Sequence, residues 1–236
     1  MTHAAAIAWP PALAKVPSSD RPPSDRPLPR AGHILVVTAR PGQESADLGR
    51  LLYAFRCRGA SLALLSLTRG EASPLNSTCE RREEIRPGEL QVAAGLLGVS
   101  SLIMADYADG ELNRYPPAEL AERVRRAIRA HAADLLLVIE PTGGDPDDAA
   151  VARAVVAAAE QTGVPALARM PCATHSGWHV DLGADATTAR AVQRAALAAH
   201  ASQARARHRA QSRMDRQDDR EQLRWLVPPR QMSGLG

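Results

Sequence analysis

The residues of this 236-residue chain that could do chemistry fall in a few short polar segments. Arg40-Pro41-Gly42-Gln43-Glu44 sets a permanent cation beside an amide and a carboxylate. Asp145-Pro146-Asp147-Asp148 packs carboxylates almost side by side. Between them lie Thr68 to Ser73, the pair Arg86 and Glu89 at helical spacing, and Asp106 to Leu112. Grouped carboxylates can act as general acids and bases, can hold an oxygen-loving cation, or can pair with a guanidinium. Cys172, His175 and His179 have a C-x2-H-x3-H spacing, but no fourth donor is adjacent, so a packed cysteine with two loop histidines is the expected reading. Cys57 and Cys79 have no motif partner and read as inert. GxGxxG, P-loop, GxSxG and HExxH patterns are all absent from the sequence.

These segments need a scaffold, and the apolar pattern supplies one. His33 to Ala39, Ser61 to Leu67, Ser101 to Asp106 and Asp134 to Ile139 are short, continuous apolar runs, the signature of strands buried on both faces. Val164 to Met170 and Trp178 to Leu182 read as later strands. Helices are expected over Ser45 to Arg58, Glu89 to Val99, Pro117 to Ala132, Asp147 to Gln161 and, as one long Ala-rich element, Ala184 to Arg209. Strands alternating with helices imply an α/β fold, a Rossmann-like three-layer sandwich around a mostly parallel sheet. Ligands of such sheets bind beyond the carboxyl ends of the strands. The polar segments follow Ala39, Leu67, Asp106 and Ile139, and so sit where that rule points.

The order and spacing of these segments, with Arg86-Pro-Gly-Glu89 and His200-Ala-Ser-Gln203, resemble the PIG-L/LmbE family of zinc-dependent N-deacetylases over about residues 32 to 204. The resemblance implies a Rossmann-like domain, and an activity that removes acetyl groups from amino-sugar conjugates. The family's first motif reads AHPDDE, with zinc held by the His and second Asp and the first Asp acting as general base. In this chain those positions hold Arg40, Gln43 and Gly42. The family's HPDH motif corresponds to Asp145-Pro146-Asp147-Asp148, which puts Asp148 at the third ligand position and Asp145 at the assisting one. By the same resemblance Glu44, Arg86, Glu89 and Asp106 are expected to bind ligand.

The substitutions alter the chemistry. A catalytic zinc needs three N, S or O donors and an open position. Arg40 has no lone pair to give and would repel a dication. Gln43 is a weak neutral ligand, and Gly42 has no side chain with which to deprotonate water. The expectation is therefore no zinc and no other cofactor, with Arg40 paired to the acid cluster.

Composition bounds the rest. Hydrophobic residues make up 45% of the chain, enough for a sizeable core. Aromatics are only 3%, too few for single-strand stacking platforms. No apolar run approaches the roughly 18 residues of a spanning helix, so no membrane partner is expected. Three scattered cysteines and a start without a basic n-region suit a cytoplasmic protein. The net charge of +3 is local to residues 201–220, where Arg205, Arg207, Arg209, Arg213, Arg216 and Arg220 face Asp215, Asp218 and Asp219. Without aromatic interleaving this reads as a solvated helix face rather than a nucleic-acid contact. Domain boundaries follow: a Pro-rich, disordered tail over 1–30, the folded domain over 31–204, and an Arg-rich helix and tail over 205–236.

Three functional readings remain open. One is a family member without the zinc site that binds a small polar or sugar-like ligand or a partner. Another is an active hydrolase of a C–N bond, using a non-family metal or Arg40 with the acid cluster, in which Asp145 and Asp147 are the catalytic candidates. The last is a structural subunit, with a homo-oligomer among the options.

Overall fold

The computed structural model describes residues 25–72, 82–141, 144–170, 177–214 and 219–230. β1 (His33–Thr38), β2 (Ser61–Thr68), β3 (Ser101–Tyr107), β4 (Leu135–Ile139) and β5 (Ala166–Arg169) pair in parallel in the order β3-β2-β1-β4-β5. β6 (Trp178–Asp181) and β7 (Arg220–Val227) complete a seven-stranded sheet, with β7 antiparallel to both β5 and β6 and lying between them.

Alternate residues of each parallel strand enter opposite cores. Ile34, Val36, Leu62, Leu64, Leu135 and Leu137 meet helices α2 (Gly49–Cys57), α3 (Arg82–Leu97) and α6 (Ala186–Ala199). Leu35, Val37, Leu65, Leu136 and Val138 meet α4 (Pro117–His131) and α5 (Pro146–Thr162). Helices thus cover both faces, which explains why the strands read as unbroken apolar runs. The expected three-layer α/β architecture is the one observed. Among the described residues no helix is long and apolar enough to cross a membrane.

Two expected helices are each broken, and both breaks serve the site. The stretch from Ser45 splits into a single turn, α1 (Gln43–Ala46), and α2. Gln193 of α6 donates its amide to the Ser45 and Ala46 carbonyls at 3.0 and 3.1 Å, satisfying the turn's open end. α6 approaches so closely that a Cβ on Gly49 would stand 2.7 Å from the Gln193 side chain. The Ala-rich helix breaks at His200, whose ψ of 59° leaves the helical region, and α7 (Ala204–Met214) follows as a separate helix. Helical periodicity cannot register such a break, because the cause is a buried partner of His200 far away in sequence.

The fold also reaches beyond the expected boundaries at 31 and 204. Leu28 is buried in the core, and the Arg26 amide donates to the His179 carbonyl at 2.9 Å. On the other side, β7 lies within the segment expected to be helix and tail. Its polar start, Arg220-Glu221-Gln222, disguised it. Glu221 points inward and is neutralised there by Arg50 at 2.6 Å and Arg169 at 3.0 Å. Arg169 in turn lies 3.6 Å from Asp47, which Arg213 of α7 also contacts at 3.2 Å. Buried charge balanced in this way carries no hydrophobic signal.

Candidate functional site

The carboxyl ends of β1, β3 and β4 bring Arg40 into a ring of acids. Its Nη2 donates to the Asp145 carboxylate at 2.7 Å, its Nε lies 3.4 Å from Asp109, and Asp147 is 3.9 Å away. Burial opposes the guanidinium charge, but Asp109, Asp145 and Asp148 outweigh it and push the group further above its ordinary range.

Each acid is placed for a reason. Asp145 caps α5, accepting the Asp147 amide at 3.0 Å, with Pro146 at the helix start where its missing donor costs nothing. Asp147 is fully buried, and its two oxygens accept the Gly110 and Leu112 amides at 2.7 and 2.9 Å. Expected as a catalytic candidate, Asp147 is instead the peg that fixes the loop after β3. That loop delivers Asp109, a residue the sequence reading passed over. Asp109 also accepts the Ala72 amide at 3.0 Å, while Glu71 accepts the Asp109 amide at 2.8 Å. Burial holds the Asp109 carboxyl above its ordinary value despite Arg40.

Gln43 is locked at the family ligand position. Its amide oxygen accepts from the Ala39 and Arg40 backbone at 2.9 and 3.2 Å, and its nitrogen donates to Asp148 at 2.7 Å. Burial lifts the Asp148 carboxyl above its ordinary range, and the Gln43 hydrogen bond only partly counters this. Gly42, at the family's base position, has φ of 100° and ψ of −24°, a conformation that glycine adopts freely and other residues do not.

Glu44 does not face the cleft. It is fully buried and accepts from Gly42 N at 2.8 Å and Ser45 Oγ at 2.6 Å, with His200 Nε2 at 2.7 Å. Burial alone would raise this carboxyl, but the His200 hydrogen bond and charge with the Ser45 bond carry it below its ordinary value. His200 Nδ1 lies 3.4 Å from the Gln203 amide nitrogen, on the side of the ring away from Glu44. Glu89 likewise works as a brace, with its two oxygens accepting the Ser202 amide and hydroxyl at 2.6 and 2.7 Å. Asp106 lies apart from the cleft, largely exposed and paired with Arg69 at 2.6 Å. It follows the strand directly, whereas the chain turns back into the cleft only at Asp109. Of the expected ligand-binding residues, Arg86 alone lines the cavity, and it is almost fully buried. Cys79, Cys172 and His175 lie outside the described residues.

The cavity holds about 270 Å³ and opens between the Arg40–Asp47 segment and α7. Among the described residues, no three His, Cys, Asp or Glu side chains converge in a way that could hold a metal ion. The arrangement can bind a polar group against the Arg40 guanidinium and the Gln43 turn.

Comparison with known proteins places this geometry in context. Residues 35–159 match the family described as GlcNAc-PI de-N-acetylase, PIG-L. A probable N-acetyl-alpha-D-glucosaminyl L-malate deacetylase 2 of Bacillus anthracis is 30% identical over 132 residues, 53% of this chain and 58% of that protein. The chain therefore spans a little over half the length of that relative. Among solved structures, the conserved protein TT1542 from Thermus thermophilus superposes with a TM-score of 0.68 at 21% identity, over 83% of this chain and 94% of the other. An N,N'-diacetylchitobiose deacetylase from Pyrococcus horikoshii gives a TM-score of 0.59 at 18% identity, over 73% of this chain and 71% of the other.

Proposed function

Because the chain belongs to the PIG-L family, we propose that its cleft binds a polar, sugar-like ligand, with the Arg40 guanidinium taking the electrostatic place that the family resemblance gives to zinc. The observation that carries this reading is the Arg40–Asp145 hydrogen bond of 2.7 Å, with Asp109 on the other flank of the guanidinium. The residues present do not fit zinc. Arg40 is a cation, both lone-pair directions of the Gln43 oxygen are taken by backbone amides, and Gly42 supplies no base. The ligand class rests on the relatives, which are named for deacetylating amino-sugar compounds.

A second reading has one observation in its favour. Burial raises the Asp148 carboxyl above its ordinary value, the direction in which a carboxylate becomes a stronger base. Arg40 would then stabilise an oxyanion, and Asp148 would accept the proton of an attacking water.

The test is metal analysis of protein purified without chelator, together with turnover of an N-acetylated amino sugar with and without added zinc. The proposal expects no stoichiometric zinc and no zinc-dependent turnover. Zinc-dependent hydrolysis by the unmodified protein would refute it. Chelator-resistant turnover that Asp148→Asn abolishes would establish the second reading instead.

A further inference from the structure

The large apolar side chains that stand exposed among the described residues, Ile85, Val92 and Leu96, all lie on one helix, α3. The inner face of that helix is accounted for, since Leu90, Ala93, Ala94 and Leu97 are buried in the core. Its outer face carries a second stripe. From Ile85 to Leu96 the exposed positions are Ile85, Gly88, Gln91, Val92, Gly95 and Leu96, and none is charged. Positions 85, 88, 92 and 95 have the spacing of a seam between two helices. A surface helix ordinarily turns charge to water, as α4 does with Glu122, Arg126 and Arg129.

The two glycines of the stripe add to this. Glycine weakens a helix interior. Yet neither Gly88 nor Gly95 has a positive φ, and a Cβ built on either meets nothing within 4 Å. Nothing described within the chain calls for glycine there, whereas a second helix approaching from outside does, because the side chains at the contact set how near two helices come. Beside the stripe the sheet ends. β3 is the outermost strand, with no partner on its far side among the described residues. Leu102 and Met104 are only half-buried, and with Ala94, Gly95 and Val99 they line an open groove between β3 and α3. An uncovered strand edge is a template for pairing.

We infer that the α3–β3 face binds a second copy of this chain about a two-fold axis, with the two β3 edges paired antiparallel and the two α3 helices packed side by side above them. Self-complementarity picks the occupant, because a two-fold axis requires one patch to fit itself. With Val92 on the axis, antiparallel helices set Leu96 opposite the second copy's Gly88, a knob over an empty position, and Ile85 opposite its Val99. The strand agrees with the helix. Val92 lies about 8 Å from the end of α3 at Leu97, and Met104 lies about 10 Å from the start of β3 at Ser101, so one axis passes both. The stripe is uncharged, which suits a chain whose net charge of +3 opposes self-association elsewhere. The face runs about 23 Å along β3 and about 20 Å across strand and helix, a flat footprint of the same order as the roughly 800 Å² of accessible surface that each partner buries in a stable interface. The inference is independent of the proposed reading of the cleft, since it needs neither ligand nor catalysis.

The experiment is sedimentation equilibrium of the full chain from low to high micromolar concentration. The mass should rise to twice 25.2 kDa. Val92→Glu sets two carboxylates together on the axis and should weaken association by roughly tenfold or more. Gly95→Gln should weaken it too while raising the melting temperature of the dilute chain, since glutamine favours a helix interior and glycine does not; a misfolded variant cannot produce that pair of effects. Val92→Cys should cross-link on mild oxidation into a dimer that the parent, with its own three cysteines, does not form. An Arg126→Gln variant on α4 should associate like the parent. A parent that stays monomeric throughout would overturn the inference, as would a dimer that Val92→Glu and Gly95→Gln leave intact. So would a monomer whose melting temperature falls with Val92→Glu, because another segment of the same chain would then be covering the face.

Discussion

The floor and the wall of the cleft are both rich in charge, and they handle it in opposite ways. On the floor every charge is answered inside the protein: Arg40 by Asp145 and Asp109, Glu44 by Ser45, the Gly42 amide and His200. On the wall, Arg207 and Arg209 of α7 are among the lining residues and have no carboxylate partner among the described residues. The floor's charges therefore belong to the stability of the fold, whereas these two charges of the wall are not tied to a carboxylate among the described residues. Sequence cannot draw this distinction, since both regions read as charged segments.

The contrast predicts a graded series of effects. The largest should come from Glu44→Ala, which strips Gly42 N, Ser45 and His200 of their acceptor at once and should cost about 3–5 kcal/mol by chemical denaturation. Glu44 also sets a pH dependence. Its folded pKa lies below the ordinary value, so its contribution is complete above the ordinary carboxylate range near pH 4 and is lost as pH falls through the folded value. A Glu44→Gln variant should accordingly show a flatter acid limb in its stability curve, and an unchanged limb would detach Glu44 from the floor's balance.

Arg40→Ala should cost about 1–3 kcal/mol, because Asp109 is left buried without its counter-charge. Adding Asp109→Asn should recover part of that loss, and a double variant no better than the single would show that the pair is not coupled. Gly42→Asp should cost about 1–2 kcal/mol, since the backbone there has a positive φ and a Cβ would stand 3.1 Å from the Gln203 amide oxygen. The change that restores the family's base is thus opposed by the chain's own turn. A combined Arg40→His, Gly42→Asp, Gln43→Asp and Asp148→His variant should be less stable than the parent, as thermal melts would show.

Asp148→Asn should act in the other direction. Burial holds this carboxyl above its ordinary value, so the folded state binds the proton more tightly than the unfolded chain. Stability then declines as pH rises from the ordinary value through the folded one. The amide should remove that decline, leaving the variant equal to or more stable than the parent near neutral pH. The smallest effect belongs to the wall. Arg209→Gln should leave stability within about 0.5 kcal/mol of the parent, and a larger loss would mean that the wall is structural after all.

The parallel half of the sheet was legible because each strand is apolar on both faces and each crossover helix has a clear stop. The seat of the cleft was legible too, since the segments after Ala39 and Ile139 do meet there through Arg40 and Asp145. What escaped is held by charge paired at long range. β7 hides behind Glu221, whose partners Arg50 and Arg169 are far off in sequence, and the break at His200 depends on Glu44. Asp109 was overlooked in favour of Asp106, which is nearer the strand, because the loop's turn is set by Asp147 through backbone amides. Leu28 packs into the core from a segment whose prolines read as a tail.

The strand order also dictates a sequence of events during synthesis. β1 to β5 can pair as they emerge, but β6 joins the sheet only through β7, which is translated some forty residues later. Through that interval β5 presents an open edge, and Arg50 and Arg169 wait for Glu221. A growing chain in this state offers another nascent polypeptide a ready edge to pair with, and the arrival of residues 220–227 is what closes it.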